Sequence, residues 1–213
     1  MLRRSRWITV GLTVAAVILL GTAGVVGIRM LTAPHAHTAI DMRGNPVVVD
    51  PGTAPSRATV SAMHVTPDTG TRLTVPSVGL DVPLGALNAV RGTITPPGFT
   101  QAYWVRNVGV SVDGASRGTV YVVMHSVRGG GVAPGNYLID VRDQRAKVAN
   151  GATITVGDAA YSVTGSAAVP KEKLSSDAQV WQSTPGRLVI ITCLQVPANT
   201  PSVDNMVIFA TLT

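Results

Sequence analysis

The sequence predicts an all-β domain, a closed barrel or sandwich of about 140 residues, behind an N-terminal membrane segment and a tether. Three observations carry this reading. Beyond residue 72 the apolar runs are short, rich in Val, Ile, Thr and Tyr, and separated by turn residues. No stretch of that region sustains a long helical period. Near the start, residues 7–28 contain no charge and follow Arg3, Arg4 and Arg6.

The elements follow in chain order. Residues 1–6 read as a cytoplasmic tail and 7–28 as a transmembrane helix. A helix of that length is about 33 Å long, enough to cross the hydrocarbon core. The preceding arginines keep the N-terminus inside and send the rest of the chain out. A cleaved leader would have an apolar core of about 7–15 residues. This segment is longer, and no small-x-small site lies close behind it. Residues 29–71 read as a flexible extracellular linker, with Pro34, Pro46, Pro51, Pro55 and Pro67 favouring extended backbone. His35 and His37 form an H-x-H pair, but a metal needs more preformed ligands, and a solvated linker accounts for them.

In the domain, 72–213, the expected strands are 72–75, 82–84, 92–95, 119–124, 137–141, 153–156, 160–164, 188–192 and 206–212. Asn150–Gly151 and Gly157–Asp158 are tight-turn signals between them. Short helices are expected over 99–105 and 171–180. Runs 119–124 and 188–191 are apolar on both parities, as central buried strands would be.

Composition removes several functions. Of 213 residues, 46% are hydrophobic, so a packed core is within reach and global disorder is excluded. The net charge of +6 invites a nucleic-acid reading, but the basic residues are scattered and never interleave with aromatics. One cysteine excludes an intramolecular disulfide and any multi-cysteine metal site. Asp140 and Asp143 are too local for a metal site, and Asp204–Asn205 reads as a turn.

The chemistry must then come from few residues. The domain has one histidine, His125, and one cysteine, Cys193, each ending a strongly apolar strand: TVYVVMH and RLVIITC. A strand end is where a side chain leaves the core on a rigid backbone. If the two strands are neighbours and parallel, the imidazole and the thiol meet. An imidazole beside a thiol can take its proton to give the nucleophilic thiolate, then protonate a leaving amine. The alternative is a buried, inert cysteine behaving as a small hydrophobe.

At this point the chain resembles the sortase family, in particular the class E and F sortases of actinobacteria. VIITC (189–193) resembles the end of the family's TLxTC signature, with Thr192 and Cys193 matching. The strand ending in His125, its Gly-rich loop and GNYLID resemble the segment around the catalytic His. LTVPSVGLDVPLGAL (73–87) and DNMVIFATL (204–212) resemble the first and last strands. The resemblance implies a closed eight-stranded barrel and a membrane-anchored cysteine transpeptidase. Cys193 would attack the Thr–Gly bond of an LPxTG- or LAxTG-like C-terminal sorting signal, with His125 as general acid and then base. The resulting thioester would be resolved by an amine of a peptidoglycan precursor or a pilin, with no metal or organic cofactor.

One departure matters. The family carries an Arg shortly after the Cys, just before the Asp-Asn that opens the last strand; here Val203 stands there. Arg128, three residues past His125, is the candidate replacement beside Thr192 in binding substrate, or is a solvated loop residue. Arg187 starts the Cys strand, about 20 Å away along an extended chain, and is excluded. The competing readings are a catalytically weak or inactive tethered barrel acting as a binding module, and another cell-wall cysteine enzyme such as an L,D-transpeptidase. Neither GxSxG nor SxxK occurs, which speaks against a serine hydrolase.

Overall fold

The structure, a computed structural model, describes residues 39–47 and 55–213. The expected tail at 1–6, the apolar segment 7–28 and the His35/His37 pair lie outside the described residues. Among those described, no helix is long and apolar enough to cross a membrane.

Eight strands close into a barrel. They are β1 (Thr66–Val75), β2 (Leu80–Leu87), β3 (Ala102–Val105), β4 (Thr119–Val123), β7 (Thr153–Val156), β8 (Ala159–Pro170), β9 (Arg187–Leu194) and β10 (Asp204–Leu212). The order around the barrel is β1-β2-β3-β4-β9-β10-β8-β7, with β7 returning to β1. A separate two-stranded ribbon joins β5 (Ile139–Asp140) to β6 (Arg145–Ala146). Among the described residues, three short α-helices, α1 (Arg57–Ala62), α2 (Lys171–Leu174) and α3 (Ala178–Trp181), and three 3-10 helices, Pro76–Val78, Val112–Arg117 and Pro134–Tyr137, complete the elements. Most neighbouring strands are antiparallel; β2–β3 and β4–β9 are parallel.

The two strands that bury apolar residues on both faces have a physical explanation. Inward-pointing Val120, Val122, Leu188 and Ile190 join the barrel interior with Leu73, Val82, Ile154 and Ile208. Outward-pointing Tyr121, Val123, Val189 and Ile191 are buried as well, in a second cluster with Val180, Val207 and Phe209. Both faces are dry because α2 and α3 fold over the outside of the barrel at β4 and β9. The Tyr121 hydroxyl donates to Val180 O at 3.2 Å, and Trp181 Nε1 donates to Leu174 O at 2.5 Å. β-Branched side chains, stiff at χ1, suit such strands.

The structure departs from the sequence expectation in several places. Ordered structure begins before residue 72: β1 starts at Thr66, α1 precedes it, and residues 39–47 form a tight hairpin in the same compact unit as the barrel. These parts of the expected linker are folded because tertiary contacts, absent from local composition, hold them. Residues 92–95 form no strand; only Val90 and Thr93 bridge, around a turn with Arg91 at φ 52° and Gly92 at φ 75°. The helix expected over 99–105 is instead strand β3, since β2 and β4 offer its backbone partners on both sides. The helix expected over 171–180 is broken in two by Asp177, which caps α3 by accepting from Gln179 N at 2.9 Å and Val180 N at 3.2 Å.

Tyr161 points into the barrel interior, fully buried, and its hydroxyl has no partner among the described residues. Burial pushes its phenol up to about 12. A buried donor left unpaired costs about 1–3 kcal/mol. Tyr161→Phe is therefore expected to leave stability unchanged or raise it by about 1 kcal/mol, measured by urea unfolding; a loss above that size would show that the hydroxyl is bonded.

Candidate active site

The β4–β9 ladder decides where the two candidate side chains emerge. Val123 pairs with Ile191, and the parallel register continues as Met124 N donates to Ile191 O at 3.1 Å. Two residues further along each strand lie His125 and Cys193. By strand alternation both follow the outward face of Tyr121, Val123, Val189 and Ile191. They emerge at the same end of the barrel on its outer side. On the far flank of β9, Asn205 of β10 pairs directly with Cys193.

A cleft of about 380 Å³ opens over this point. Val123 and Ile191 line its base. One wall is the 92–96 turn with Ile94 and Pro96; the other is the α2–α3 segment with Lys171, Leu174, Ser175 and Trp181. His125, Thr192, Cys193 and Asn205 complete the lining. None of the lining residues is acidic, and Lys171 is the only cation among them. Its Nζ donates to Ser202 Oγ at 2.7 Å.

His125 is 6% exposed and stacks on Phe99, with ring centroids 4.3 Å apart and 17° between planes. Its Nε2 lies 2.8 Å from Pro96 O. A carbonyl only accepts, so Nε2 carries the proton and Nδ1 holds the lone pair of the neutral ring. Burial pushes the ring's pKa below the ordinary histidine value; the Pro96 carbonyl opposes this, and the positive Lys171 adds to it. The result is a neutral imidazole with a free basic nitrogen, beside a half-buried thiol. No hydrogen bond joins Cys193 Sγ to the ring.

The two strand ends are also cross-braced. Ser126 Oγ donates to Cys193 O at 2.6 Å, and Gln195 Nε2 donates to both Ser126 O and Ser126 Oγ at 3.0 Å. Gln144 Nε2 reaches Gln195 O at 2.9 Å from the turn before β6. Behind the pair, Gly135 N donates to His125 O at 2.8 Å. A side chain there cannot fit: a Cβ on Gly135 would sit 2.0 Å from Thr192 Oγ1 and 2.8 Å from His125 O.

The other expected residues fall differently. Thr192 lines the cleft but is 3% exposed, and its hydroxyl lies against Gly135 without a hydrogen-bond partner. Arg128 lies on the loop after Val127, outside the cleft lining. Val203 does not occupy the position facing the cysteine. It is 67% exposed and precedes β10, whereas Asn205 is the residue paired with Cys193. Asn205 is also no turn residue: it lies within β10, 8% exposed, and its amide has no hydrogen-bond partner among the described residues. Arg187 is far from the thiol, as expected. It fixes α3 by donating to Gln179 O and Gln182 O, and lies 4.8 Å over the Phe209 ring.

Sequence reasoning missed Lys171, Asn205, Ser126 and Gln195. Asn205 was within reach, since the alternation of DNMVIFATL places it on one face with Val207 and Phe209. Lys171 carries no local signal, because the β8–α2 turn alone brings it to the cleft.

No protein-family model matches this chain, and no curated protein matches it significantly. Solved structures of similar fold include sortases. Sortase C2 of pilus island 1 from Group B Streptococcus is 18% identical, with 79% of this chain and 87% of that one covered, at a TM-score of 0.50. Sortase A of Listeria monocytogenes is 20% identical over 67% of this chain and 86% of that one, at 0.46. Sortase C-1 of Actinomyces oris is 15% identical over 74% and 80%, at 0.47. The likeness is one of fold: a closed eight-stranded sortase-like barrel with a few short helices.

The lowered pKa of His125 has a measurable consequence. Well above pH 6.5 the ring is neutral in the folded and the unfolded chain alike. Below that the unfolded chain takes a proton that the folded ring refuses, so stability is lost until the folded ring's own lower pKa is passed. Asp41 and Asp140, whose carboxyls backbone N–H groups hold below 3.8, lose their contribution only in stronger acid. Melting temperature should therefore fall between pH 7 and 5 in the wild type, and the fall should be smaller in His125→Gln; equal slopes in thermal scans would contradict the assignment.

Proposed function

We propose that this chain is a cysteine transpeptidase of the sortase type, of class E or F. In this reading segment 7–28 anchors it in the cell membrane, with the N-terminus in the cytoplasm and the barrel outside. The observation that supports it is the parallel β4–β9 pairing, which brings the barrel's single histidine and single cysteine to one cleft.

The mechanism follows from the tautomer. Nδ1 of His125 takes the thiol proton, and the Cys193 thiolate attacks the carbonyl carbon of the Thr–Gly bond in an LPxTG- or LAxTG-like sorting signal. The developing oxyanion needs donors in place of the family's arginine. Asn205 offers an unpartnered, nearly buried amide on the strand beside the sulfur, and Lys171 offers the cleft's positive charge. As the C–N bond breaks, His125 returns its proton to the leaving amine, and a thioester remains. An amine of a peptidoglycan precursor or a pilin then attacks, His125 accepts its proton, and the C–S bond breaks as the new amide forms. The cleft's apolar walls suit the aliphatic part of such a signal. The second reading, a weak or inactive tethered barrel that binds peptide, is favoured by the lack of a hydrogen bond between Cys193 Sγ and the ring.

Cleavage of fluorogenic LPxTG and LAxTG peptides by the wild type and Cys193→Ala separates the two. Turnover that vanishes with Cys193 supports the enzyme, as does rapid alkylation of the thiol at mildly acidic pH. Absence of Cys-dependent turnover on any pentapeptide, with slow alkylation, leaves only the binding module. Asn205→Ala should lower kcat by about 10²–10³, the usual cost of one oxyanion donor, with little change in KM; a wild-type kcat would remove Asn205 from the mechanism.

A further inference from the structure

We infer that residues 39–47 are a strap that positions His125, latched by Asp41 onto the 127–133 loop and packed against Phe99. This goes beyond the transpeptidase reading and does not rest on it, since it concerns where the ring is held.

The strap is a built element. Asp41 N donates to Asn45 O at 2.9 Å, Val47 N to Ala39 O at 2.8 Å, and Gly44 turns the chain at φ 81°. Asp41 is 1% exposed in a segment that composition marks as solvated linker. Its Oδ1 accepts from Arg43 N at 2.9 Å and Asn45 N at 2.8 Å, which closes the strap's own turn. Its Oδ2 accepts from Val132 N at 2.8 Å, and Met42 N donates back to Val132 O at 2.8 Å. One carboxylate therefore serves both the turn and the docking. Bonds from N–H groups to an ionised carboxylate are the strong kind.

The loop that receives the latch begins two residues after His125. Its base is clamped by Asn136, whose Oδ1 accepts from Val127 N and Ala133 N at 2.9 Å and whose Nδ2 donates to Val127 O at 2.8 Å. Ala39 and Val47 of the strap pack into the cluster of Phe99, Val127 and Ala133. Phe99 is the ring that stacks on His125, and the carbonyl of Pro96, three residues earlier, accepts the Nε2–H hydrogen bond. The strap thus holds both the loop that carries the histidine's chain onward and the aromatic wall against its face.

Removing the latch should let water reach the imidazole. Lys171 acts on the ring's charge from the cleft and Cys193 shares the cleft with it, and the test leaves both in place. Losing the negative charge of Asp41 would by itself lower the histidine pKa, whereas admitting water would raise it toward 6.5, so the sign separates positioning from a bare charge effect.

The experiment is a pH titration of the His125 ring by NMR in the full-length chain in detergent micelles, with carbon-13-labelled histidine and assignment by His125→Gln. Asp41→Asn keeps an oxygen for the strap's own turn but sets an amide group against Val132 N–H. Asp41→Ala removes both functions. Val47→Ala thins the packing on Phe99 and leaves the latch intact, so it keeps the test alive if either Asp41 variant unfolds. Ile40→Ser, on the strap's exposed side, is the control. The expected result is a titration midpoint below 6.5 in the wild type and Ile40→Ser, and an upward shift in both Asp41 variants, smaller in Val47→Ala. A lower melting temperature with an unmoved midpoint, or a downward shift, would overturn the inference. Because the readout needs no turnover, it stands apart from the outcome of the peptide assays.

Discussion

The structure turns on one backbone ladder, the parallel pairing of β4 with β9. Parallel neighbours in a barrel must be joined by a long connection, and here that connection contains the 127–133 loop, the β5–β6 ribbon and strands β7 and β8. The same pairing puts the C-terminal ends of both strands at one edge. A residue leaving β4 and one near the end of β9 therefore meet without any loop having to carry them there. Shifting the register by one residue would turn one of the two side chains to the barrel interior, so the apolar alternation that fills the core also aims the histidine and the cysteine.

The cleft built on that edge has an unusual electrostatic balance. No carboxylate lines it, and its one cation, Lys171, opposes protonation of His125, as burial does. The ring is thereby kept as a neutral base of defined tautomer, its Nε2 proton committed to Pro96. A triad would orient the imidazole by an acid; here a main-chain carbonyl and the face of Phe99 orient it. The Ser126–Gln195 brace ties the backbones of the two strand ends, which fixes spacing where no side-chain bond joins thiol and ring.

The walls of the cleft come from segments outside the regular sheet. The α2–α3 segment is held down by Tyr121, Arg187 and the Asp177 cap, and the opposite turn is shaped by Arg91 and Gly92 in the left-handed region. The 39–47 hairpin adds a brace from a part of the chain that composition alone marks as a spacer. Its order depends on Val132 and on the Phe99 cluster, contacts that reach far across the sequence.

What the sequence by itself determined was the class of the fold and the pair of residues that share the cleft. Short β-branched runs between turn residues announced an all-β barrel or sandwich, and apolarity on both parities of 119–124 and 188–191 marked the two central strands, because both their faces are covered. His125 and Cys193 stood out as the domain's only members of their types, each at a strand end. Tertiary structure alone decided what surrounds them. Asn205 looked like a turn residue until the β9–β10 register set it opposite the sulfur. Lys171 reached the cleft only through the turn after β8, and residues 102–105 became a strand because neighbouring edges needed partners. Local pattern records which face of a strand is buried; which strand lies beside it, and which distant loop closes over it, depend on contacts that no local window contains.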